Sequence, residues 1–241
     1  MYAVDDKTLN IRYRFLMKDE SYLDFEVQLD PHTLNQVVGS TEASPDWATL
    51  EFHQCSNCPL QASTSPYCPV ALNIIKLMEG CGSLMSYEQL RLEVTTPDRT
   101  IIKDTSAQVG ISSLLGLIVA TSGCPHTGFF KPMARFHLPF SSEAETIYRA
   151  SSMYLLAQYF MCKQGGDADP DLEGLAKIYR NLQIVNIALA ARLRAASNRD
   201  AAVNAVILLD SFAKALPYTI ADSLDEIRYL FAPFLVQNEQ R

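Results

Sequence analysis

The sequence has no hydrophobic run long enough to cross a membrane. Its most apolar stretch, VGISSLLGLIVA from Val109 to Ala120, is well short of the ~20 residues that a spanning helix needs. It reads as a core helix, and no membrane insertion is expected. The opening residues MYAVDDKTLN carry acids where a signal peptide needs a basic segment, and no apolar stretch follows; a cytoplasmic setting is expected. Positive charge is in deficit. Lys and Arg total 20 against 27 Asp and Glu, a net charge of -7, which gives no general attraction for nucleic acid or an anionic surface. The common catalytic signatures are missing too. No G-x-S-x-G, H-E-x-x-H, Walker or dinucleotide fingerprint occurs, so the usual evidence for hydrolases and nucleotide enzymes is lacking. No internal repeat or low-complexity tract stands out, and catalysis is not the favoured expectation.

What is present is the material of an ordinary core: 241 residues, 48% hydrophobic and 20% charged, enough to fold as one domain or two. The first hundred residues read as strand. In YLDFEVQLD, Leu23, Phe25, Val27 and Leu29 face one way and Asp24, Glu26 and Gln28 the other, the period-two pattern of a half-buried strand. LNIRYRFLM places Ile11, Tyr13 and Phe15 on one face, and the polar KDES after it suits a hairpin loop. TLEFHQC is a third candidate strand, and LRLEVTTPDRTIIKD a second hairpin turning at Pro97 and Asp98. Val70 to Glu79 reads as a short helix ended by Gly80.

From Thr105 onward the pattern is helical. Thr105 with Gln108, and Ser142 with Glu145, have capping-box spacing. Asp169 with Pro170 offers an N-cap and first-turn pair for a helix through Arg194, after the linker-like GGDADP. Two further helices are expected over 199–215 and 219–236. Strands first and helices after define an α+β protein: an antiparallel β-rich part over 1–104 packed on a mostly helical part over 105–241, possible as one continuous domain.

Three of the six cysteines lie in FHQCSNCPLQASTSPYCPV. Cys55 and Cys58 form a C-x-x-C pair, whose tight turn can bring two thiolates onto one ion, and Cys68 follows ten residues on. The stretch is too polar and proline-rich for three ordinary buried thiols. A structural zinc takes four ligands. Cys124 and His126 in SGCPHTGFF are the preferred completion, with His53 and Cys81 as further candidates. Zinc is the expected cofactor, serving as a staple between the two parts. An iron–sulfur cluster is the alternative: Cys-Pro occurs at Cys58, Cys68 and Cys124, although the spacing matches neither common ferredoxin pattern. Thiol redox chemistry on the same cysteines also stays open. A thioredoxin-like site does not, since the pair leads into a loop rather than opening a helix in a βαβ unit. Cys162, in MYLLAQYFMC, reads as a small core hydrophobe.

A second patch, FFKPMARFHLPF, carries Lys131, Arg135 and His137 among aromatics. It reads as a packed linker or, more sharply, as a site for a small anionic ligand with Arg135 and Arg149 as a fork. Asn186 and Asn204, inside apolar helices, are expected to be hydrogen-bonded. The segments CSNCPL, YCPVALNI, SGCPHTGFFKPMARFHLPF and SMYLLAQYF together resemble a family of uncharacterised bacterial proteins with a β-rich N-terminal part and a helical remainder. The resemblance covers most of the chain and implies a bacterial cytoplasmic setting, but no site residue comes with it. The function expected from the sequence is a metal-binding protein with a binding or regulatory role, its protein or small anionic partner undefined.

Overall fold

The computed structural model describes residues 8–37, 44–81, 84–196, 203–204, 206–207 and 224–236. Two antiparallel hairpins build one four-stranded sheet. β1 (Leu9–Leu16) and β2 (Tyr22–Leu29) form the first, β3 (Gln89–Thr95) and β4 (Thr100–Ser106) the second. The order across the sheet is β2-β1-β3-β4, with Tyr13 opposite both Phe25 and Val94. Alternation decides which face is buried: Ile11, Tyr13, Phe15, Val27, Leu29, Leu90, Leu92 and Val94 point inward. On the outer face Arg12 and Arg14 grip Asp24, holding its carboxyl down at about 2, chiefly through those hydrogen bonds.

The helices cover the inner face. α1 (Pro69–Gly80) precedes β3, and α2 (Ala107–Thr121) leaves β4 without a loop. α2 is buried nearly all round, as its largely apolar sequence requires. At Gly110 it lies so close to the sheet that a Cβ would stand 2.8 Å from the Phe15 ring and 3.0 Å from Leu92. The short α3 (Lys131–Arg135), then α4 (Glu143–Lys163) and α5 (Glu173–Ala196), complete the body, and α6 (Ala232–Val236) lies near the C-terminus. One cluster of buried side chains draws on strands and helices alike, from Ile11 to Leu193. The protein is thus α+β, with an antiparallel N-terminal sheet and a mostly helical remainder.

Some local expectations change. TLEFHQC is not a strand: apart from one bridge between Thr49 and Tyr67 it runs through turns, with His53 at φ 47°. The capping box at Ser142 and Glu145 forms, but Thr105 belongs to β4. The first N–H groups of α2 are taken by the carbonyls of Glu88 and Ser86 instead. Pro170 does not open α5. That helix begins at Glu173, and the Asp169 carboxylate reaches forward to the N–H groups of Glu173 and Gly174. Cys162 is exposed rather than core. The helices expected over 199–215 and 219–236 fall largely outside the described residues.

Candidate metal centre

The cysteine-bearing segment is a loop closed at its neck. Leu50 N–H donates to Pro66 O at 2.9 Å and Cys68 N–H to Ala48 O at 2.9 Å, so residues between them must fold back on themselves. Cys58 N–H donates to Cys55 O at 3.0 Å, which makes Cys55 to Cys58 a tight turn with both thiols on one side of the loop. Cys68 is the N-cap residue of α1, extended at φ -73° and ψ 122°. Cys124 arrives from another direction. α2 ends, Gly123 takes φ 86°, and the turn after it is held by Thr127 N–H and Gly128 N–H donating to Cys124 O. A left-handed residue at this helix end is what a glycine permits at little cost.

His126 joins the two loops, its Nε2 lying 2.7 Å from Asn57 O. A carbonyl can only accept, so Nε2 is the donor. Asn57 in turn reaches Asn181 of α5. From the same helix comes Arg192, 3% exposed. Its guanidinium donates to the carbonyls of Trp47, Thr49 and Leu50 and lies 5.7 Å from the Phe52 ring centre. Arg192 therefore clamps the loop neck, and it explains the missing strand: carbonyls that would serve a ladder are spent on a guanidinium.

Cys55, Cys58, Cys68 and Cys124 line one cavity of about 30 Å³, with His53, His126 and Arg192 also in its wall. Burial, reinforced by the neighbouring Cys68, Cys124 and Cys58, pushes the Cys55 thiol up to about 12, and burial raises Cys124 as well. Such thiols are poor nucleophiles on their own; a bound cation is what would turn them into thiolates. Among the described residues, no group of three or more His, Cys, Asp or Glu side chains is gathered closely enough for a single ion. Cys81 stands apart, buried at the end of α1 in the main core, its thiol pushed up to about 12 by burial.

The second patch divides. Lys131 opens α3, and Arg135 is exposed with its guanidinium 5.4 Å over the Phe136 ring; neither joins His137. The His137 Nε2 bonds the Tyr13 hydroxyl, which also meets Ser113 Oγ at 3.0 Å. Burial first, then the Arg149 charge, hold the His137 pKa down at about 4. A pKa lower in the folded than in the unfolded chain means the unfolded chain binds the proton more readily. Stability from this group is therefore complete above the ordinary histidine pKa and drains as pH falls toward about 4. Urea unfolding at pH about 7.5 and about 5.5 is expected to show a larger loss for the wild type than for His137→Gln; equal losses would contradict it.

Sequence reasoning passed over Arg192 and Tyr13. Arg192 had a signal: Val185, Leu189 and Arg192 follow i, i+4, i+7, which places the arginine on the buried face of an apolar helix. Tyr13 had none beyond its strand parity.

No helix among the described residues is long and apolar enough to cross a membrane. A family model described as a domain of unknown function (DUF6901) matches residues 11–232. No curated protein and no solved structure matches the chain.

Proposed function

We propose, for a chain that belongs to this family of domains of unknown function, that Cys55, Cys58, Cys68 and Cys124 hold an iron–sulfur cluster in a redox-responsive regulator. The observation that carries this reading is the convergence of four cysteines from three separated pieces of chain on one cavity. The donor set is all thiol, the Arg192 guanidinium stands beside it as a counter-charge, and three of the four cysteines precede proline, a step that recurs at iron–sulfur ligands.

What favours a cluster over zinc in this reading is the spacing of the cysteines. Four sulfurs at the ~2.3 Å zinc–sulfur distance of a tetrahedral site stand about 3.8 Å apart and leave no void between them. Here the four cysteines line one cavity, and among the described residues none of them belongs to a group spaced for a single ion. A cluster holds its cysteines further apart, because several irons and sulfides lie among them. When bound it would supply one-electron chemistry; the chain's part is to hold it. The loop from Thr49 to Tyr67 is fastened by few side chains, chiefly Arg192, His126 and Asn57. Cluster loss or oxidation would therefore be felt as release of that loop from α5.

Protein produced with iron and purified without oxygen or a metal-binding tag decides the matter. Iron and acid-labile sulfide in equal amounts, with a brown absorption that bleaches in air, are expected. Near one zinc per chain and no visible band would replace the cluster with a structural staple. Absence of both metals would overturn either centre.

A further inference from the structure

A second and much larger cavity, about 520 Å³, lies between α2, α3, α4 and α5. Its walls are mainly apolar, from residues such as Val109, Leu117, Phe130, Met133 and Leu182. This is the size and character of a small-molecule site between helices. Its few polar groups are unevenly placed. Lys103, exposed, and Arg149 supply positive charge, and among the described residues no Asp or Glu lines the cavity. Glu145 lies close to both cations, but its carboxylate is turned back onto the Ser142 N–H at 2.7 Å. Arg149 spends three of its five N–H donors on Ser141 Oγ and the carbonyls of Met133 and Phe136. It is thereby fixed with its charge at the cavity.

The far end is marked by Asn186. It is 2% exposed, lines the cavity, and its amide nitrogen has no hydrogen-bond partner. A buried donor left unmade costs far more than the same position filled by an apolar side chain. An amide kept there is explained by an acceptor that arrives with a ligand. Tyr179, which lies near Arg149, and Asn186 both line the cavity from α5; seven residues of helix separate them by about 10.5 Å.

We propose that this cavity binds an apolar carboxylic acid carrying a second oxygen: the carboxylate lies between Lys103 and Arg149, and the second oxygen accepts from Asn186. The acid fits the two cations, the apolar body fits the walls, and the distal oxygen completes the buried amide. The site is separate from the cysteine cavity and its test runs whatever metal the protein contains.

Calorimetric titration of the full chain with decanoate, 1-decanol and 10-hydroxydecanoate provides the test. The hydroxy acid is expected to bind at one saturable site, roughly tenfold tighter than decanoate, and decanoate roughly tenfold tighter than the alcohol. Asn186→Leu should erase the first difference and Lys103→Glu the second. Lys103 is exposed, so its variant decides the acid end even if the helix variant fails to fold. No saturable binding of any probe would overturn the site, and so would differences that survive both substitutions.

Discussion

Cys55→Ser is expected to purify with little or no metal and to melt roughly 6–20 °C below the wild type. The direction follows from where Cys55 sits: it lines the common cavity, and its thiol feels Cys68, Cys124 and Cys58 at once. Serine keeps the shape and removes a thiol, so three of the four cysteines would remain in that cavity. The magnitude follows from what the centre fastens. In domains with no core of their own, metal binding supplies ~10 kcal/mol or more of folding free energy. This chain has a large core independent of the loop, so the loss should be confined to loop release, on the order of 3–5 kcal/mol. For a chain of this size each kcal/mol moves the midpoint by about 2–4 °C. Two other cysteines supply controls. Cys162 is exposed on α4, and Cys162→Ser should change neither metal content nor melting. Cys81→Ser disturbs buried packing and should lower stability by about 1–2 kcal/mol while leaving metal content intact. Full metal content in Cys55→Ser would remove that residue from the site.

The parts of the fold that were legible in the sequence are those whose information is local. β1 and β2 follow from alternation, their hairpin from KDES, and the second hairpin from Pro97 and Asp98, because side-chain parity and turn chemistry are settled within a few residues. The capping box at Ser142 is equally local. What escaped depends on partners far away. TLEFHQC alternates like a strand, yet its neck carbonyls belong to Arg192, more than 140 residues on. Asp169 behaves as a cap, but four residues before the first residue of the helix it serves, because Tyr154 and Gln158 of α4 hold Asp169 in place. Cys162 was misread because α4 exposes apolar residues, among them Leu155, Leu156, Tyr159 and Phe160, so apolar character there does not mean burial. In the candidate site, the C-x-x-C turn was visible as spacing. The clamp that presents it was not, because a buried arginine reads as an ordinary helix cation until its acceptors are known. The pairing of His137 with Tyr13 was hidden for the same reason, the two lying 124 positions apart.

Arg192→Met should destabilise the protein by about 3–5 kcal/mol, as leaving buried carbonyls without their charged donor does. The guanidinium donates to three backbone carbonyls, of which Thr49 O also accepts from Phe52 N–H at 3.3 Å. Methionine fills much of the same volume, so the loss reports unpaired carbonyls rather than a hole. Arg192→Lys separates the two roles of the residue. Its ammonium keeps a positive charge beside Cys55, Cys58 and Cys68, but a point charge cannot fork to three carbonyls. If Arg192 acts both as clamp and as counter-charge, the lysine variant should retain metal and still lose most of the stability, whereas the methionine variant should lose both. Hydrogen exchange over residues 49–67 is the direct readout, since loop amides should exchange faster in both variants while those of β1 and β3 stay protected. Wild-type stability in Arg192→Met would mean that the carbonyls find other partners and that the loop is held by something other than α5. Unchanged metal content in that variant, with stability lost, would confine Arg192 to the clamp.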